Sequence, residues 1–277
     1  TLANLAIATP GPAAARVTSA YEAAAKSSQR EDLLQSCAIF WGQWVAQHGL
    51  GNFSSALVAA QRLQQVATTA KHEIWQGWAY YAQAQYHLWK GSPNLSETLL
   101  LQSITTINLA KDFELTPGFF GGHSYALAFG SLGLTQALLG RYSPALQNTR
   151  HAIQIAQQSN APVAIVACYL HLLRIYYLTN NLTALETESH MLLSMMPTED
   201  QENVWYSFIK SYALISSILK NPNVDQLKQL EQTRESIEKN MPAALDGYLC
   251  TPARCYLANG QAEQALTVLG GAKVLAL

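Results

Sequence analysis

Leu139-Gly140-Arg141-Tyr142-Ser143-Pro144-Ala145-Leu146 is the stretch that decides the fold. It reads as the end of one helix, a tight turn on Gly140, and a second helix opening near Ser143. Tyr142 is placed to plug between the two helices. Ala145 and Ala152 lie seven residues apart, so both face the same way two turns on, where small side chains let backbones approach. Leu132-Gly133 supplies a matching small position upstream. The turn recurs in Gly51-Asn52-Phe53-Ser54-Ser55-Ala56-Leu57 and in Gly260-Gln261-Ala262-Glu263-Gln264-Ala265-Leu266, with Ala272 seven after Ala265. Weaker turns fall at Gly91-Ser92-Pro93-Asn94, Asn180-Asn181-Leu182 and Asn221-Pro222-Asn223. Turn starts near 51, 91, 140, 180, 220 and 260 make a 40-residue step, except for 49 residues between Gly91 and Gly140. About nine residues are therefore inserted between the second and third hairpins.

A fixed period of this kind marks a helical solenoid. The turn chemistry resembles the tetratricopeptide repeat, whose usual period is ~34, against ~40 to 47 for HEAT repeats. The expected fold is all-α: a right-handed α-α superhelix of about six tetratricopeptide-like hairpins, with helices about a turn longer than usual. A hairpin cannot bury its apolar face alone, so residues 1–277 are expected to form one solenoid domain.

Composition narrows the partners. The chain is 49% hydrophobic and 13% charged, about half the usual charged share of ~25%. Either part of the surface is covered by another domain or subunit, or the core is simply large. A net charge of -1 supplies no field for a nucleic acid backbone and no polybasic membrane face. Cys37, Cys168, Cys250 and Cys255 are scattered with no metal-ligand spacing, and read as small core hydrophobes in a reducing cytoplasm. No metal or cofactor is expected. No run of about 18 apolar residues suggests a span, and Leu2 to Ala8 is too short and lacks the basic lead of a signal peptide. The start at Thr1 and the end inside a helix suggest a fragment of a longer protein.

In chain order, residues 12–28 predict an amphipathic helix, followed by helices over 30–48 and 54–70. Trp44 occupies the position, seven before the turn glycine, where the repeat family keeps a small residue, so packing at this end is expected to be irregular. The helix over 72–89 is rich in aromatics, and 95–109 returns. The insertion from Lys111 to Gly122 breaks the helix with Pro117, Gly118, Gly121 and Gly122 around Phe119 and Phe120. It is expected to project from one edge or to fold into the groove beside Trp78 and Tyr81. Four further hairpins close the chain, and Pro252 is expected to kink or shorten the helix that contains it.

More of the chain looks familiar. Thr9-Pro10-Gly11-Pro12-Ala13-Ala14-Ala15-Arg16-Val17 leads to Ala20-Tyr21-Glu22-Ala23-Ala24, then Phe40-Trp41-Gly42-Gln43-Trp44, then Ala126-Leu127-Ala128-Phe129-Gly130-Ser131-Leu132-Gly133. In this order they resemble the C-terminal helical region of bacterial STAND-type predicted-ATPase signalling proteins. Those proteins place a LuxR or winged-helix DNA-binding domain, or a class III adenylate cyclase, before the NTPase. The resemblance covers roughly residues 1 to 200. It implies a sensor or regulatory module that binds a protein, a peptide, its own NTPase domain or a small anionic effector. A plain assembly scaffold is the alternative.

No catalytic constellation stands out. There is no G-x-x-x-x-G-K-[ST] and no H-E-x-x-H, and the seven histidines are spread over the hairpins. The chain is expected to bind rather than catalyse. Positions six, ten and thirteen before each turn residue should line the inner groove. That places Trp78, Tyr81 and Gln85 inward in the second hairpin, Trp41 and Val45 in the first, Leu170 and Arg174 in the fourth, Lys210 in the fifth and Arg254 in the sixth. One end of the groove is then aromatic. The other is basic, suited to a carboxylate-bearing ligand.

Overall fold

In a computed structural model of the chain, the structure describes residues 33–109, 123–196, 203–241 and 250–276, with positions 19 and 23. The expected helix over 12–28 and the insertion with Phe119 and Phe120 lie outside the described residues. Among the described residues there are twelve α-helices and no strand. They are α1 (Leu33–Gly49), α2 (Phe53–Thr69), α3 (Glu73–Trp89), α4 (Pro93–Asn108), α5 (Ser124–Leu138), α6 (Tyr142–Gln158), α7 (Pro162–Leu178), α8 (Leu182–Met195), α9 (Val204–Lys220), α10 (Val224–Asn240), α11 (Cys250–Ala258) and α12 (Ala262–Ala276). The all-helical hairpin architecture expected from the sequence is the architecture found.

The turns explain the period. Gly51, Lys71, Gly91, Gly140, Asn160, Asn180 and Gly260 all have positive φ, between 47° and 79°. Each closes its helix with the same pair of hydrogen bonds. At the third turn, the Gly140 amide donates to the Ala137 carbonyl (3.0 Å) and the Arg141 amide to the Gln136 carbonyl (2.8 Å). This is the Schellman arrangement, in which a left-handed residue satisfies carbonyls that the helix end leaves bare. A 17-residue helix such as α2 or α3, plus a three-residue turn, gives a half-step of 20 residues, as from Gly51 to Lys71 to Gly91. The fifth turn is built differently. Pro222 holds Asn221 in extended backbone (φ -139°), and the Asn223 side chain accepts from the Asp225 and Gln226 amides to start α10.

The second helix of each of the first three hairpins buries a stripe set by the turn. Counting 5, 9, 12 and 16 residues from the left-handed residue gives Ala56, Ala60, Leu63 and Ala67 in α2, Ser96, Leu100, Ser103 and Ile107 in α4, and Ala145, Thr149, Ala152 and Ala156 in α6. All are buried, so Ala145 and Ala152 are the close-packing positions their spacing suggests. Two glycines face these stripes. A Cβ on Gly133 would sit 2.1 Å from Thr149 Oγ1 and 2.7 Å from the Ala145 carbonyl oxygen. A Cβ on Gly77 would sit 2.2 Å from Ile107 Cγ1, and the Ser103 hydroxyl donates to the Gly77 carbonyl at 2.7 Å. Tyr142 does not plug between the helices. It is the first residue of α6 and is 43% exposed.

The contacts gather in two compact units, Thr1–Ile175 and Tyr176–Leu277, where the sequence suggests one continuous solenoid; the boundary falls inside α7. In the first unit, α1 packs on α3 and α3 on α5, so the first helices of consecutive hairpins touch in order. In the second unit, α9 and α11 do the same. Pro252 lies within α11 and is buried. No helix among the described residues is long and apolar enough to cross a membrane.

Candidate functional site

The first unit concentrates its aromatic side chains in one nest. On α1, Trp41, Trp44 and His48 follow at spacings of three and four, so they share a face. On α3, Trp78, Tyr81, Gln85 and Trp89 do the same. The two faces meet. Trp41 and Trp78 have ring centroids 4.1 Å apart, and Trp44 stacks on Trp41 at 4.6 Å and on His48 at 4.9 Å. Tyr81 stands edge-on to Trp44 (5.9 Å) and to Trp78 (5.8 Å). His48 lies 6.4 Å from Trp89 and 5.6 Å from Phe53, which opens α2. Offset and edge-on pairs of this kind add to the stabilisation from burial alone. The cation of the nest comes from α7: the Arg174 guanidinium lies 5.5 Å from the Trp89 ring centroid.

A polar layer borders the rings. Gln85 Nε2 donates to Ser131 Oγ at 2.8 Å, and Ser131 Oγ lies 3.4 Å from His171 Nε2. Tyr81 also shares a hydrogen bond with Ser131. Burial lifts the Tyr81 hydroxyl well above the usual tyrosine range, and the Ser131 bond offsets part of this. Burial lowers His48 to about 4, and burial with the Arg174 charge lowers His171 to about 4, so both rings are neutral at pH 7. A serine beside a histidine is the geometry of an activated nucleophile. Here Ser131 is fully enclosed, and its oxygen accepts from Gln85 Nε2.

Cys37, Cys168 and Cys255 are buried thiols outside any disulfide, and burial raises Cys168 and Cys255 to about 12. No group of three or more His, Cys, Asp or Glu among the described residues could hold a metal ion.

The second unit holds the remaining cations of the expected groove. Arg254 is exposed, with its guanidinium 5.0 Å from the Tyr177 ring centroid and Nη2 donating to Asn180 Oδ1 at 2.9 Å. Lys210 is half-buried on α9.

Comparison with known proteins adds the fold. No protein-family model and no curated protein sequence matches the chain. Among solved structures, the chain is similar to a signal transduction ATPase with numerous domains (STAND) that has a tetratricopeptide repeat sensor, from Pyrococcus horikoshii. The TM-score is 0.50 with 16% identity, over 94% of this chain and 39% of that one. The likeness is one of fold. The chain thus spans about two-fifths of that protein's length. BtubC from P. vanneervenii is also similar, at 15% identity and TM-score 0.45, over 94% of this chain and 88% of that one.

Set on this repeat, the residues singled out in the sequence fall into three groups. Trp41, Trp78, Tyr81 and Gln85 come together as placed, but they are buried against one another rather than exposed. Arg174 joins the aromatic residues in the first unit, whereas Lys210 and Arg254 belong to the second. Phe119 and Phe120 lie outside the described residues. Trp44, read in the sequence only as a source of irregular packing, completes the nest with His48 and Trp89, which were not singled out. Their signal was present in the three-and-four spacing from Trp41 and from Tyr81.

Proposed function

We propose that this chain is a non-catalytic sensor region of a bacterial, cytoplasmic STAND-type signalling ATPase, and that it binds a protein, peptide or small effector. The observation that supports this reading is the repeat itself. Stacked hairpins expose the same helix positions at a constant step, which gives a partner an extended, regular surface. The similar protein from Pyrococcus horikoshii is described as having its tetratricopeptide repeat as a sensor. The sequence resemblance to the helical region that follows the NTPase in such proteins points the same way. A plain assembly scaffold is the second reading, favoured by the 13% charged content.

Nucleotide hydrolysis by the full-length gene product separates the two. Deleting residues 33–276 should change the basal rate severalfold, in the roughly 5- to 150-fold range of ordinary allosteric coupling. An unchanged rate, or a gene product with no NTPase activity, overturns the sensor reading.

A further inference from the structure

We infer that two copies of this chain associate through helix α12, packed antiparallel about a two-fold axis. The inference stands apart from the choice between sensor and scaffold.

The repeat register shows which α12 positions are covered elsewhere in the chain. Six residues after the left-handed turn residue come Leu57 in α2, Leu146 in α6 and Leu266 in α12. Leu57 and Leu146 are half-buried. Leu146 packs with Ala137, Ala145 and Ile175, and Ile175 belongs to α7, the first helix of the next hairpin. Leu266 is 69% exposed. Nine residues after the turn come Ala60, Leu100 and Thr149, all fully buried. Leu269 holds that position in α12 and is 39% exposed. Ala265, five after Gly260, is buried, and α12 packs on α11. The helix is thus seated in its own hairpin, while the leucines that a further helix would cover lie open. Burying them supplies the drive for association.

The pattern of this face selects a second copy as its cover. The charged residues of α12 are Glu263, in the first turn, and Lys273, ten positions on. Positions 263, 266, 270 and 273 follow at spacings of three and four, so they run along one face. The set is symmetric about position 268: reversing the helix exchanges 263 with 273 and 266 with 270. An antiparallel copy related by a two-fold axis at that level sets Leu266 of each chain against Gly270 of the other. It also sets position 263, glutamate, opposite position 273, lysine. A Cβ on Gly270 would meet no atom within 4 Å, so nothing in the chain itself fills the recess that the second copy's leucine would take. Glycine there lets the two backbones approach closely. Parallel pairing would set like charges together at both ends, which disfavours it. A two-fold contact uses the same patch on both copies and closes at a dimer. One helix against one helix is a small interface, so the dimer is weak and depends on concentration.

Sedimentation velocity of the 277-residue chain, from about 10 µM to about 1 mM, is the test. The average mass should rise with concentration from one copy toward two. Leu266→Asp changes an exposed side chain and should keep the chain monomeric with its helical circular dichroism intact. Gly270→Leu fills the recess without a clash inside the chain, and should do the same. Glu263→Lys alone and Lys273→Glu alone should each weaken association about fivefold or more, and the two together should restore it. A chain that stays monomeric throughout overturns the inference and leaves the face to a different partner. Assembly beyond a dimer overturns it too. So does a dimer that survives either folded variant, Leu266→Asp or Gly270→Leu, or a charge exchange that fails to restore association.

Discussion

Ala145→Trp is expected to unfold the first unit at temperatures where the wild type is intact. Ala145 is fully buried and packs with Ala137, Leu146 and Ile175. Its carbonyl oxygen lies where even a methyl group on Gly133 would collide. Separating α5 from α6 would open the contact of Gly133 with Ala145 and Thr149. Overpacking a well-filled site costs about 1–3 kcal/mol, and an indole in place of a methyl lies at or beyond the upper end. About 3 kcal/mol in a unit of this size lowers the melting temperature by roughly 6–12 °C. Arg141→Ala, which removes an exposed guanidinium paired with Glu97 at 2.5 Å, should cost no more than about 1 kcal/mol. Thermal melting of both variants is the check. Equal melting points would mean the hairpin register is wrong.

Acid is expected to destabilise the first unit well before its carboxylates titrate. His48 is packed against Trp44, Phe53 and Trp89, and His171 against Ser131 with the Arg174 charge nearby. Both fold neutral, with values near 4 against 6.5 in the unfolded chain. Above pH 6.5 neither state binds the proton and the stabilisation is complete. Between 6.5 and 4 the unfolded state takes up protons that the folded state refuses, so stability falls as pH falls. Below 4 both states are protonated and no further loss comes from these rings. The steepest loss is on the order of 3 kcal/mol per pH unit for the two together. Between pH 7 and 5 ordinary carboxylates stay ionised, so the effect belongs to histidine. The urea midpoint should drop clearly over that interval, and His48→Phe should flatten the dependence. A midpoint that does not move from pH 7 to 5 contradicts neutral His48 and His171 rings in the folded chain.

The fold was legible because its turns are chemically marked. Gly51, Gly91, Gly140 and Gly260 announce left-handed helix ends, and Asn180 is the side chain that best tolerates the same conformation. Lys71 and Asn160 went unnoticed since neither is glycine, although each lies 20 residues after a marked turn. The nest was half legible. The register placed Trp41, Trp78, Tyr81 and Gln85 on one surface, but a periodic reading cannot tell a lining position from a filled one. Trp44 decides that: an indole where the repeat family keeps a small residue closes the space between α1 and α3. Arg174 was grouped with Lys210 and Arg254 by period alone. Its contact with Trp89 joins two helices separated by three others, a proximity that only folding creates.

The inner aromatics form a packed nest with buried, unpartnered donors, and not the wall of an open groove. Hydrogen exchange of the indole N–H groups tests this: the Trp41 and Trp78 protons should exchange far more slowly than that of Trp205. Exchange of Trp41 and Trp78 at the rate of a solvent-exposed indole would contradict it.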